Sequence, residues 1–244
     1  MRRRGVRAAI GLGILLAAAA CPIPGDGELA EETRTIDAAI DRLEVLDGFV
    51  VDVTLDPDRG PGAEVTVRGD RNLLETFYTE VHSGSALSIA LKPTQESHPV
   101  APRSASVVTR DLTTLYVGED ASLTVATLVG PGIGLRAADD GIADLTLGDP
   151  ATLAAEGLGR ASITLRGALQ DLEVTTQDAA SVAAGELVAA RIHVDLGGTG
   201  EVVLCPTESL TGTVRGPAVV TVACEPAFVD LEVVGDGVVQ GPGA

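Results

Sequence analysis

From residue 121 onward the chain sets down a small residue about every 19 positions and follows it, two and four positions later, with apolar side chains. The small residues are Ala121, Ala143, Ala161, Ala180, Gly200, Ala218 and Gly237, at spacings of 22, 18, 19, 20, 18 and 19. The apolar pairs run from Leu123/Val125 through Leu145/Leu147, Ile163/Leu165, Val182/Ala184 and Val202/Leu204 to Val220/Val222, and Val239 opens a seventh. Eight and six positions before each small residue from Ala143 onward stands a second pair, from Leu135/Ala137 to Val229/Leu231. Each unit thus holds two short segments of period-two alternation around a Gly/Asp turn such as Gly197-Gly198-Thr199, which predicts two half-buried strands.

Two such strands in ~19 residues make one rung of a stacked repeat, whose neighbours pair in parallel ~4.8 Å apart and share one continuous core. A sandwich or Greek-key barrel needs antiparallel hairpins and does not demand equal spacing. The expected fold class is therefore all-β, a parallel β-helix (β-solenoid), with regular rungs over 111–240 inside a single domain at 36–240. Leu112, Leu115 and Val117 fit the first rung slightly out of phase.

Residues 36–110 are less regular. Strands are predicted at 43–45, 49–55, 64–69 and 87–91, with a turn over 57–62. Over 71–81 the spacing of Leu73, Leu74, Phe77 and Tyr78 behind Asp70, a suitable N-cap, predicts the one short helix. A solenoid end exposes an unpaired strand, so this region is expected to supply the first coils and a cap.

Arg2, Arg3, Arg4 and Arg7 precede an uncharged stretch, 8–20, that is too short to span a bilayer as a helix, which needs ~20 residues. That is the layout of a signal peptide, 1–20. Ala18-Ala19-Ala20-Cys21 resembles the bacterial lipobox, which implies a lipidated Cys21 followed by a tether over 21–35. Pro22 in place of aspartate favours the outer membrane by analogy.

Without the four leader arginines, 13 basic residues face 35 acidic ones, a net charge near −22. Nucleic acid and anionic lipid are poor partners for such a surface. Lys92 is the single lysine, and aromatic residues make up 2% of the chain.

Leu46-Asp47-Gly48-Phe49, the run Val65-Thr66-Val67-Arg68-Gly69-Asp70-Arg71-Asn72-Leu73-Leu74, then Thr79-Glu80-Val81 and Ser85-Ala86-Leu87-Ser88-Ile89 resemble the head GIN domain, the putative auto-transporter adhesin family. The resemblance covers roughly 36–240. It implies a β-helix on an exported, often lipid-anchored protein, and it brings no catalytic residues with it.

Chemistry is sparse. Cys205 and Cys224 are one repeat apart, 19 residues, which sets them on adjacent rungs at the same corner within disulfide reach. Outward positions of the first strand collect Glu173, His193 and Asp230 beside Glu156, Asp195 and Glu232, an acidic strip read as a solvated face or a weak cation site; Asp139-Asp140 reads first as a turn and otherwise as a cation site. Outward positions of the second strand run Ser122/Thr124, Asp144/Thr146, Ser162/Thr164, Ser181/Ala183, Glu201/Val203, Val219/Thr221 and Val238/Gln240, a hydroxyl-rich face, more apolar toward the C-terminus, that reads first as ordinary exposed β-sheet and otherwise as a contact surface for a partner or a second copy. Gly130-Pro131-Gly132-Ile133-Gly134 lacks a nucleotide-binding context and reads as a loop, and His82 and His98 read as surface residues. Of the aromatic residues, only Tyr116 is expected to point outward from the regular coils. No catalytic, metal or cofactor site is expected. The expected function is a non-enzymatic, lipid-anchored envelope protein presenting an adhesion, binding or scaffolding surface to envelope polysaccharide, a surface protein or itself. A polysaccharide-acting β-helix enzyme, with Glu173 and Asp195 as paired carboxylates, and a self-assembling module stand as alternatives.

Overall fold

A computed structural model describes residues 22–93, 96–148 and 152–242; the expected signal peptide and Cys21 lie outside the described residues. The irregular half holds β1 (Ile23–Pro24), β2 (Leu29–Ile36), β3 (Arg42–Val45), β4 (Val50–Leu55), β5 (Ala63–Asp70), β6 (Phe77–His82), β7 (Ala86–Leu91), β8 (Ser97–His98) and β9 (Ser104–Thr109). The regular half holds β10 (Thr114–Val117), β11 (Ser122–Leu128), β12 (Ile133–Ala137), β13 (Ile142–Leu147), β14 (Thr152–Gly157), β15 (Ser162–Thr176), β16 (Ser181–Leu196), β17 (Glu201–Arg215), β18 (Val219–Val222), β19 (Phe228–Val234) and β20 (Val238–Gln240).

Alternation builds the solenoid as the repeat requires. On face one, β10, β12, β14, the second halves of β15 to β17, and β19 pair in parallel, stacking Ile133, Leu153, Leu172, Ile192, Leu210 and Val229 in one inward column. On face two, β11, β13, the first halves of β15 to β17, β18 and β20 do the same with Leu123, Ala143, Ile163, Val182, Val202, Val220 and Val239. Leu123, Leu145, Ile163, Val182, Val202 and Leu210 are all at 0% exposure. Burial of side chains of this size stabilises by ~1.5–3 kcal/mol each, and the stack repeats it on every rung.

The register corrects the expected phase. Ala121 aligns with Gly141 and Ala161, because Ser122 pairs with Ile142 and Ile142 with Ser162. The second unit therefore begins at Gly141, Ala143 points inward, and spacings of 22 and 18 become 20 and 20. Gly141 is needed there: a Cβ would lie 2.6 Å from the Val117 carbonyl oxygen of the previous rung. Leu115 and Val117 come into phase with Leu135 and Ala137. Between the faces the turns stack, with Asp47, Glu119, Asp139 and Asp178 in the left-handed region (φ 54, 53, 58 and 60). Asp tolerates that backbone better than bulkier residues.

The irregular half is not simply earlier coils in chain order. β3 and β4 pair with β10 and β11 on one side and with β7 and β9 on the other, so the chain lays down its second coil before its first. Antiparallel strands then close the end: β6 on β7, β5 on β9, and β2 on β5. The expected helix is shorter than 71–81, a 3₁₀ segment at Arg71–Thr76, and Phe77–His82 is strand because its backbone groups pair with β7. The stretch read as a tether contains β2 (Leu29–Ile36), and Ile23–Pro24 pairs with Ser97–His98. Asp70 does not cap the 3₁₀ segment with its side chain. It is buried, and its carboxylate accepts backbone N–H groups of Gly27, Val100 and Ala101 at 2.7, 2.9 and 3.0 Å. Burial alone would raise the pKa of this carboxyl, but these bonds outweigh it and hold it below the ordinary aspartate value.

Candidate binding surface

The outward side of face one carries the richest chemistry. One outward column runs Ser88, Glu44, Tyr116, Arg136, Glu156, Thr175, Asp195, Thr213 and Glu232, and beside it runs Thr114, Gly134, Ala154, Glu173, His193, Thr211 and Asp230. Gly134 and Ala154 are too small to fill their places in the second column. The result is an open groove of about 480 Å³ with a small-residue floor, rimmed by Glu44, Tyr116, Arg136, Glu156, Glu173 and Thr175. Tyr116 points outward as expected and lies over Gly118, where a Cβ would come within 3.0 Å of its hydroxyl. Partial burial, with the Asp139 charge next in size, pushes the phenol pKa up, so Tyr116 stays a neutral donor. Ile133 and Gly134, read as loop, belong to β12.

The expected acidic strip is not continuous. Thr175, Thr211 and Thr213 interrupt it, and arginines balance it: Arg136 lies 3.5 Å from Glu156, and Arg215 is bonded to Asp195. Elsewhere Arg191 bonds Asp171 at 2.6 and 2.9 Å, Arg160 bonds Asp140, and Arg166 bonds both Asp144 and Glu186. His193 shares a 3.1 Å hydrogen bond with Thr211. Among the described residues no cluster of three His, Cys, Asp or Glu side chains is arranged to hold a metal.

At the capped end of the same column, His82 Nε2 lies 3.0 Å from Glu44 and 2.9 Å from the Ser88 hydroxyl, which itself donates to Glu44 at 2.8 Å. The residue types are those of a hydrolytic triad, but the geometry is not. In a triad the serine and the acid address different ring nitrogens, and the serine proton goes to the imidazole. Here one nitrogen meets both partners and the serine proton goes to the carboxylate, so the cluster fixes Glu44 and activates no nucleophile. His98 is exposed, as expected. Beyond the cluster a second hollow of about 740 Å³ is lined by Asp47, Tyr78, His82, Lys92 and Glu119 among others. Glu119 has its pKa raised, first by partial burial and then by the Asp47 carboxyl beside it.

Face two keeps its hydroxyl-rich character but in the corrected register, with Val50, Ser122, Ile142, Ser162 and Ser181 forming one outward column. Cys205 and Cys224 are joined, with Cα atoms 4.7 Å apart, at the corner where face two returns to face one.

The groove residues Glu44, Arg136 and Ala154 were not distinguished in the sequence. The arginine partners were visible there, since Asp140/Arg160, Asp171/Arg191 and Asp195/Arg215 are each 20 apart, close to the repeat length, although Arg215 stands two residues beyond the register partner of Asp195.

A family model described as "Putative auto-transporter adhesin, head GIN domain" matches residues 40–226. No curated protein sequence matches the chain. Solved structures of the same fold include a putative adhesin from Bacteroides fragilis, 15% identical, with a TM-score of 0.77 over 89% of this chain and 98% of the other. A putative adhesin from Parabacteroides distasonis is 19% identical, with a TM-score of 0.70 over 89% and 98% of the two chains. A protein from the same organism described as a putative lipid binding protein is 15% identical, with a TM-score of 0.70 over 90% and 99%.

Proposed function

Because the chain belongs to the putative auto-transporter adhesin, head GIN domain family, we propose that it is a non-enzymatic cell-envelope lipoprotein, exported by residues 1–20 and anchored through Cys21, whose solenoid is an adhesion surface. The observation that carries this reading is the groove on face one. An aromatic ring beside an arginine and three carboxylates, around a floor of Gly134 and Ala154, offers an apolar surface and a ring of hydrogen-bonding groups to an extended, hydroxyl-bearing ligand. A saccharide chain of the envelope or of a neighbouring cell fits that chemistry. The arrangement of Glu44, His82 and Ser88 supports a binding rather than a hydrolytic role.

One structural neighbour is described as lipid binding, but a net charge near −22 on the mature chain opposes anionic headgroups. An anchor at Cys21 would hold the capped end next to the bilayer, since Ile23 is already paired with Ser97. The regular rungs would then project away from the membrane, with the outer membrane the favoured address.

Labelled palmitate together with a glycan panel tests the proposal. The wild-type chain should incorporate label, Cys21→Ser should not, and the mature chain should retain saccharides without releasing product. Equal labelling of both forms would overturn the anchor, and reproducible product release would overturn the non-enzymatic reading.

A further inference from the structure

The two ends of the solenoid are treated differently. At the N-terminal end, β2, β5 and β6 run antiparallel across the last rung. Arg34 reaches over that end, donating to the carbonyl oxygens of Phe77 and Leu74 at 2.7 Å each and to the Thr79 hydroxyl at 2.9 Å. At the C-terminal end β19 pairs only with β17, and β20 only with β18, among the described residues. Their other edges carry no strand among the described residues. The inward columns record this directly: Leu210 and Val214 are at 0% exposure, while Val233, at the next place in the Val214 column, is 43% exposed and Val229 and Leu231 are half-buried. Phe228, Val234 and Val238 are 56%, 48% and 48% exposed. The Cys205–Cys224 bridge, four residues before Phe228, ties this rung to the one below.

The outward positions of the open strand say what would fit it. In the middle rungs Arg136 pairs with Glu156 and Arg191 with Asp171 in register, and Arg215 reaches Asp195 from two residues beyond its register partner Thr213, while Glu173 lies between Ala154 and His193. Asp230 and Glu232 face only Thr211 and Thr213 below and take part in no ion pair among the described residues. A next rung bearing basic side chains at alternate positions would pair with both carboxylates, and opposite charges across a strand pair stabilise it by ~0.2–1 kcal/mol each.

We propose that β19 is a docking edge for an extended strand of a partner protein that carries arginine or lysine at alternate positions. A second copy of this chain is the wrong occupant. Two β19 edges paired antiparallel about Leu231 would set each Asp230 against a Glu232, and like charges directly opposite are destabilising. Stacking head to tail would offer β19 only the antiparallel end strands β2 and β6, neither of which carries arginine or lysine at alternate positions. In strand addition the backbone supplies affinity and the alternate side chains supply specificity.

The test is independent of the groove. Two eight-residue peptides, one alternating valine with arginine and the other valine with glutamate, are titrated by fluorescence anisotropy onto the oxidised mature chain. The arginine peptide should bind at least ~10-fold more tightly, and D230K/E232K should reverse the order. D37K/D58K, at exposed sites on the capped half with the same change in net charge, should change affinity by less than ~2-fold. N-methylating the peptide backbone should abolish binding. Absence of binding, equal loss in D37K/D58K, indifference to N-methylation, or a concentration-dependent dimer lost in D230K/E232K would each overturn the proposal.

Discussion

Asp70 accepts the backbone N–H of Gly27 at 2.7 Å across 43 residues of chain. With its bonds to Val100 and Ala101, this one carboxylate ties the start of the domain and the 100–101 loop to the end of β5. Asp70→Asn turns one acceptor oxygen into a donor opposite backbone N–H groups. It should cost about 3 kcal/mol and open residues 22–28 to protease, measured by chemical denaturation and limited proteolysis. Because the folded pKa is depressed, the stabilisation is complete above the ordinary aspartate value and lost as pH falls through the folded one. The wild type should lose stability in that acid range more steeply than Asp70→Asn.

The corrected register makes a paired prediction about two glycines. A Cβ at Gly141 meets the Val117 carbonyl oxygen at 2.6 Å, whereas at Gly134 the nearest contact is 3.9 Å. Gly141→Ala should therefore destabilise by about 1–3 kcal/mol and Gly134→Ala by little. If Ala143 were the corner, as the spacing alone suggests, the first substitution would be tolerated.

That contrast shows what the sequence carried. Alternation at 163/165, 182/184 and 202/204 revealed the rungs because each buried position repeats where the previous one did. The phase slipped at 141/143 because both residues are small, and only a carbonyl one rung away tells them apart. The cap was harder: β6 continues the helical spacing of Leu73, Leu74, Phe77 and Tyr78, and its pairing partner β7 decides in favour of strand. The groove was hidden because its floor is made of absent side chains at Gly134 and Ala154, which become neighbours of Tyr116 and Arg136 only once register is known.

Breaking the Cys205–Cys224 bridge releases a constraint on 19 residues, worth about 3 kcal/mol in the chain-entropy account. The loss should be local first. Hydrogen exchange of the Cys205→Ser/Cys224→Ser variant should accelerate in β19 and β20 before the β12 to β16 rungs.

Glu119 tests the stacked turns. Its raised pKa means that protonation favours the folded state: the favourable contribution is present below the ordinary glutamate value and lost as pH rises through the folded one. Glu119→Gln should raise Tm at neutral pH and flatten its decline from mildly acid to neutral solution, as followed by a thermal melt across pH.

The claim that face one is an adhesion surface rests on the groove beside Tyr116, and calorimetric titration of the mature chain with the tightest saccharide from the glycan panel tests it most directly. Tyr116→Ala and Arg136→Ala should each weaken binding by about 10-fold or more while leaving Tm within a few degrees, since both side chains point outward. Unchanged affinity in both variants would contradict the account.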